Sequence, residues 1–183
     1  LLARNPAIKE QVTLFVVAVE PAEGNTAYDL LQEKIHQQVG EINGRYGTLS
    51  WQPVLYSGRA LNFEEMISWF YAADIMWVPS LRDGMNIICK EFIATKHDKE
   101  GVLVLSEFAG AAVELEDAVL VNPYSPSGMD SGMDIALSMP AREQKERQKR
   151  MFNNIKSSDI TVWSRQLDLF HCMESDVLSE DVI

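Results

Sequence analysis

Apolar positions along the chain fall into short continuous runs separated by amphipathic stretches. Val12–Val19 (VTLFVVAV) is nearly all apolar and rich in β-branched residues, the composition of a strand buried on both faces. Glu20–Asn25 contains Pro21 and Gly24 and reads as a loop. Thr26–Asn43 places Leu30, Leu31, Ile35, Val39 and Ile42 at helical spacing, with Thr26 as N-cap and Gly44 as C-cap. Pro53–Tyr56 is a short strand. A helix over Phe63–Ala73 opens at Leu61 or Asn62, and Glu64 and Glu65 stand in its first turn, where the helix dipole favours acids. Ile75–Ser80 is a buried strand followed by a helix from about Asn86 to Lys96, and His97–Gly101 is a turn. Val102–Leu105 and Ala118–Val121 are further strands, the second stopped by Asn122-Pro123. Ser125–Gly132 is rich in Gly, Ser and Asp and predicts a surface loop. Asp134–Ser138, Arg142–Lys156 and Thr161–Met173 predict helices, with the charged run Arg142–Arg150 as a solvated face.

Strands alternating with helices predict an α/β fold with a parallel, doubly wound sheet. No repeat and no linker divides residues 1–183, which read as one domain. Composition narrows the function. Sixteen Lys and Arg against 27 Asp and Glu leave a formal charge of −11, which argues against nucleic acid or an anionic membrane as partner. No apolar run approaches the roughly 20 residues of a membrane helix. The opening Leu1-Leu2-Ala3-Arg4 does not read as a signal peptide, and the chain reads as a piece of a longer one. Cys89 and Cys172 lack metal-ligand spacing and suit a cytoplasmic protein with free thiols. His36, His97 and His171 are far apart and read as solvent-facing or helix-surface residues. Glu174, Asp176, Glu180 and Asp181 form a solvated acidic tail.

The candidate chemistry lies in Leu81-Arg82-Asp83-Gly84-Met85-Asn86-Ile87-Ile88-Cys89-Lys90-Glu91. A strand ends, a short polar turn with one glycine follows, and a helix begins. In open α/β sheets ligands bind beyond the carboxyl ends of strands, and a helix N-terminus there offers free amides to an anion. Asp83 and Glu91 add carboxylates able to accept sugar hydroxyls. On these features alone the turn is either a ligand site or a plain connector. Ser106–Ala112 is a second small-residue turn, suited either to close approach of a ligand or to tight packing. There is no Walker A sequence, GxGxxG, GxSxG or His/Cys cluster.

Taken in order, Ile42-Asn43-Gly44-Arg45-Tyr46-Gly47, Leu81–Asn86 with Lys90-Glu91, Gly101–Ala112 and Leu120-Val121-Asn122-Pro123 resemble the trehalose-6-phosphate synthase family of retaining glycosyltransferases, family 20. The resemblance runs from about Val12 to Phe170. It implies the C-terminal, Rossmann-like half of a GT-B glycosyltransferase, which binds a nucleoside diphosphate glucose: ADP-glucose preferred, UDP-glucose the alternative. On matching positions, Asp83 would bind hydroxyls of the donor glucose and serve as the catalytic residue. Backbone amides of Gly84, Met85, Asn86 and Ile87 would hold sugar and diphosphate. Glu91 would accept the ribose hydroxyls, and Arg59, Ala60 and Leu61 would lie beside the base, mainly through backbone.

The family has two branches that differ in acceptor. The trehalose branch carries a Ser-Arg pair after the first strand, whose Arg grips the phosphate of glucose 6-phosphate. Here Val19–Asp29 reads VEPAEGNTAYD, and Glu23 stands where the Arg is expected, which would repel a phosphate. That pattern, with Trp51-x-Pro53, Phe63-Glu64-Glu65-Met66, Trp69 and Trp77, looks more like the glucosylglycerol-phosphate synthase branch, whose acceptor is glycerol 3-phosphate and whose product is a compatible solute. The implied reaction retains configuration by a front-face route and needs neither paired carboxylates, nor a metal, nor a cofactor. The family's diphosphate-neutralising Arg and Lys and its acceptor-binding N-terminal domain lie upstream of Val12, so the resemblance implies a piece that is inactive alone. A non-catalytic regulatory module of the same fold is the remaining alternative.

Overall fold

The computed structural model describes residues 1–19 and 26–157, without the side chains of Thr26 and Ala27. The loop Glu20–Asn25 with Glu23, the expected helix Thr161–Met173, His171, Cys172 and the acidic tail lie outside the described residues. Contacts divide the chain into two compact units, residues 1–65 and 66–183, and each is described by itself.

The first unit holds β1 (Leu14–Val17), α1 (Thr26–Tyr46), β2 (Val54–Ser57) and the start of α2 (Phe63–Ala72). β1 and β2 pair in parallel, Leu14 opposite Val54 and Val17 opposite Ser57. α1 packs against β2. Its Asn43 amide satisfies both backbone groups of Val54, donating to the carbonyl at 2.9 Å and accepting from the N–H at 3.0 Å. Tyr56 donates to the Gln32 carbonyl oxygen at 2.6 Å, and its ring meets the edge of His36 at 5.0 Å. Two expectations fail here. β1 is shorter than Val12–Val19 and is not buried on both faces, with Leu14 48% and Val17 39% exposed, because α1 covers the strand beside it. Gly44 is not a C-cap: α1 runs through it to Tyr46. The chain leaves the helix at Gly47, whose N–H reaches the Asn43 carbonyl at 2.8 Å and where a Cβ would crowd that oxygen.

The second unit continues α2 and adds β3 (Ile75–Val78), α3 (Ile87–Thr95), β4 (Val102–Ser106), β5 (Val119–Val121), α4 (Pro126–Ser138) and α5 (Ala141–Ser157). The strands form a parallel sheet in the order β3-β4-β5, separate from the β1-β2 pair. β4 is central and every residue of it is buried. Its alternating side chains split the core in two. Leu103 and Leu105 join Cys89, Phe92 and Ile93 of α3, Phe70 of α2 and Met151 of α5. Val102 and Val104 join Val119, Val121 and Ala136 of α4. Helices therefore cover both faces, and the α/β expectation holds.

Two further expectations are corrected. Ser125–Gly132 is not a loop but the start of α4. The Ser125 hydroxyl accepts from the Gly128 amide at 3.1 Å and Pro126 occupies the first helical turn. Gly132 lets α4 lie on β5, since a Cβ there would fall on the Val121 side chain. The run Arg142–Arg150 is not merely solvated. Gln148 is fully buried and donates to the Gly101 carbonyl at 3.0 Å, while Arg150 grips the Asp117 carboxylate at 2.6 Å and Arg147 donates to the Asp117 carbonyl at 3.0 Å.

Candidate functional site

The loop after β3 is held by the loop after β4. Asp83 pairs with Ala109 in a parallel bridge beyond the ends of both strands. The Asp83 N–H donates to the Phe108 carbonyl at 3.3 Å, the Gly110 N–H to the Asp83 carbonyl at 3.0 Å, and the Ala111 N–H to the Met85 carbonyl at 2.9 Å. Backbone lies on backbone, since a Cβ on Gly110 would land on the Gly84 carbonyl. Gly84 itself faces open space. The small residues of Ser106–Ala112 thus serve as packing against the Asp83 loop.

Asp83 organises the turn into α3. One carboxylate oxygen accepts from the Met85 N–H at 3.1 Å, the other from the Asn86 side-chain amide at 2.8 Å. These bonds, the Asn86 side chain first, hold the carboxyl below its usual range against the opposing cost of burial, so it is ionised at neutral pH. Asn86 takes the left-handed conformation, φ 70°, and its side-chain oxygen caps the helix by accepting from the Cys89 N–H at 3.0 Å. Asn is among the few non-glycine residues that enter this region readily. The cap serves the third helical residue. The amides of Ile87 and Ile88, the first two, have no acceptor within the helix and stand at the positive end of its dipole. The Ile87 and Ile88 side chains are 64% and 47% exposed, so this end of α3 is open.

Glu91 lies one turn further, on the same helical face as Ile87 and half-buried. Its neighbour Lys90 pairs with Glu114 at 2.7 Å. Cys89 is fully buried, its thiol donating to the Asn86 carbonyl, and burial pushes it up to about 11, so it is no nucleophile at neutral pH.

The structure therefore brings Asp83, Gly84, Met85, Asn86, Ile87 and Glu91 into one strand–loop–helix element. Arg59, Ala60 and Leu61 belong to the first unit, in the loop between β2 and α2. Arg59 is engaged there: its guanidinium grips Glu65 at 2.7 and 2.9 Å and also donates to the Ala60 carbonyl at 3.2 Å. The sequence reading missed the brace made by Phe108, Gly110 and Ala111 and the Lys90–Glu114 pair. The small-residue turn was visible; that it lies against the Asp83 loop was not. Among the described residues no cluster of three or more His, Cys, Asp or Glu is placed to hold a metal, and no helix is long and apolar enough to cross a membrane.

The chain is similar to known proteins over most of its length. Over 167 residues the chain is 47% identical to glucosylglycerol-phosphate synthase of Synechocystis sp., covering 91% of this chain and 34% of that protein. It is 38% identical over 165 residues to trehalose-6-phosphate synthase of Mycobacterium leprae, covering 90% of this chain and 33% of the relative. Among solved structures, the UDP-forming alpha,alpha-trehalose-phosphate synthase of Burkholderia xenovorans in complex with glucose-6-phosphate superposes with a TM-score of 0.86. There the identity is 33%, over 91% of this chain and 37% of that one. The chain thus spans about a third of the length of the relatives it matches. The sequence model of glycosyltransferase family 20 matches residues 1–169, and the chain belongs to that family.

Proposed function

We propose that this chain is the donor-binding part of a retaining glucosyltransferase that moves glucose from a nucleoside diphosphate glucose to glycerol 3-phosphate, giving glucosylglycerol phosphate. The observation that carries the reading is the β3–α3 element. It presents, within a few residues, a braced loop, an ionised carboxylate and the open N-terminus of a helix with one face in the core. Asp83 keeps lone pairs beyond its two internal hydrogen bonds and would orient the glucose hydroxyls. Amides of Gly84 to Ile87 would receive the departing diphosphate, where charge develops as the glycosidic bond breaks. Glu91 would accept the ribose hydroxyls, and Arg59–Leu61 would contact the base through backbone, leaving the Arg59 side chain in its bond to Glu65. The leaving diphosphate oxygen would take the acceptor proton on the same face, so no metal or cofactor is required. The enzyme would work in the cytoplasm.

Glycerol 3-phosphate is favoured as acceptor by Glu23 in place of a phosphate-gripping Arg, and by 47% identity to the Synechocystis synthase against 38% to the mycobacterial one. ADP-glucose is the preferred donor. The second reading, trehalose-phosphate synthesis on glucose 6-phosphate, is favoured by the solved relative that holds glucose-6-phosphate. The test offers the full-length protein ADP-glucose or UDP-glucose with each acceptor and detects the released nucleoside diphosphate. Turnover with glycerol 3-phosphate alone supports the proposal and names the donor, whereas turnover with glucose 6-phosphate replaces it by the second reading. No turnover with any pair would leave a non-catalytic module of the same fold. The 183 residues alone are expected to bind donor weakly and to turn nothing over.

A further inference from the structure

The geometry points to Lys90 and Glu114 as positioning residues that close a ring of contacts around the donor loop and fix the angle at which α3 presents its amides. The inference rests on the reading of that loop as a nucleotide-sugar site.

The ring can be traced bond by bond. Asp83 and Met85 receive the amides of Gly110 and Ala111. Gly110–Val113 is a single turn of 3-10 helix that ends at Glu114, whose N–H returns to the Ala111 carbonyl at 3.1 Å. The Glu114 carboxylate takes the Lys90 ammonium at 2.7 Å across 24 residues of sequence. Lys90 lies on α3, one turn after Asn86 and next to Glu91, and Asn86 leads back to Asp83. The Glu114 carbonyl also accepts from the Asn154 side chain of α5 at 3.3 Å, which ties the ring to a packed helix.

Without the Lys90–Glu114 pair, α3 would keep the Asn86 cap, its apolar face and, at its far end, the bond from the Lys96 ammonium to the Tyr71 carbonyl at 2.8 Å. Apolar packing of Cys89, Phe92 and Ile93 fixes which face is inward, but it is non-directional. A charge-assisted hydrogen bond sets rotation and axial position more narrowly. The two side chains are 19% and 32% exposed, so solvent screens them less than the surface pair Arg142–Glu146, at 90% and 51%. Lys90 and Glu91 are adjacent, so a rotation of α3 that frees Lys90 also turns Glu91.

The test is made in the full-length protein with Glu114→Gln, Lys90→Met and the exchanged pair Lys90→Glu/Glu114→Lys. Two measurements are taken: hydrogen exchange resolved to the bonded amides of Met85, Cys89, Gly110 and Ala111, and KM against kcat for UDP-glucose or ADP-glucose. Both single variants are expected to speed exchange at Met85, Cys89, Gly110 and Ala111 while leaving β4 unchanged. They should raise donor KM about tenfold, the weight of one charged hydrogen bond, with acceptor KM unchanged, and the exchanged pair should recover part of this. Unchanged exchange at these four amides in both single variants would overturn the inference. So would a donor KM raised by Lys90→Met but untouched by Glu114→Gln, which would mean that Lys90 meets the donor directly. Faster exchange in a protein whose unmodified form binds neither donor would keep the ring and reject the nucleotide-sugar reading instead.

Discussion

Two strand-end loops in this chain use the same local device to opposite effect. After β2, Asn62 caps α2 by accepting from the Glu65 N–H at 2.9 Å, and Glu65 answers by accepting from the Asn62 N–H at 3.0 Å. Arg59 then closes over Glu65, so the helix start is self-contained, with the Arg59 side chain 66% exposed. After β3, Asn86 caps α3 in the same way, but its partner Asp83 sits before the cap rather than inside the helix. In both helices the first two amides lack an acceptor within the helix, but the first turn of α3 carries no acidic residue where α2 has Glu64 and Glu65, and the stiffness comes from another loop through Gly110 and Ala111. A capping box spends its carboxylate on its own helix; a braced loop with an external carboxylate leaves the helix dipole for something else.

The comparison is broken most severely at Gly110. Gly110→Ala puts a methyl on the Gly84 carbonyl and is expected to cost about 3 kcal/mol, seen as a lower urea midpoint. Gly84→Ala, facing open space, should stay within about 0.5 kcal/mol while still weakening UDP-glucose binding. Equal losses in the two variants would show that the loops do not bear on each other. Next come the caps. Asn86→Ala loses a cap and forces alanine to positive φ, about 2 kcal/mol in all; Asn86→Gly should recover the conformational part. Asn62→Ala, at ordinary φ, should lose only about 1 kcal/mol in the same denaturation series.

The smallest effect is in acid. The Arg59 hydrogen bond first, then the Asn62 amide, hold Glu65 down at about 2 from an ordinary 4.5. A folded value below the unfolded one means that the carboxylate stabilises the helix start above pH 4.5 and loses that contribution as pH falls from about 4.5 toward about 2. Asp83 is lowered in the same direction, by Asn86 first, so its contribution is present above its ordinary 3.8 and fades only below it. Side-chain carbonyl NMR should show Glu65 titrating with a midpoint near 2, and Asp83 below 3.8. A midpoint at 4.5 for Glu65 would mean that its box is open in solution.

Much of this was legible along the chain. The strand–turn–helix at Ile75–Lys96, the acidic first turn of α2 and the strands through Val121 follow from period and turn chemistry, and all are present. The misses share a cause. Ser125–Gly132 reads as loop by composition, yet Gly132 is the residue that lets β5 lie against the helix, and Gln148 reads as surface, yet it is the buried partner of Gly101. Gly44 looks like a helix end and Gly47 is one, since identity alone does not say which glycine meets a carbonyl.

The sequence by itself determined the α/β class, the place of the candidate site at the carboxyl end of β3 and the family, because alternating periods and an ordered set of short motifs are local properties. Only the tertiary structure decided that the Asp83 loop is backed by Gly110 and that Lys90 reaches Glu114. Those contacts join residues 24 or more positions apart, and nothing within either segment encodes the other.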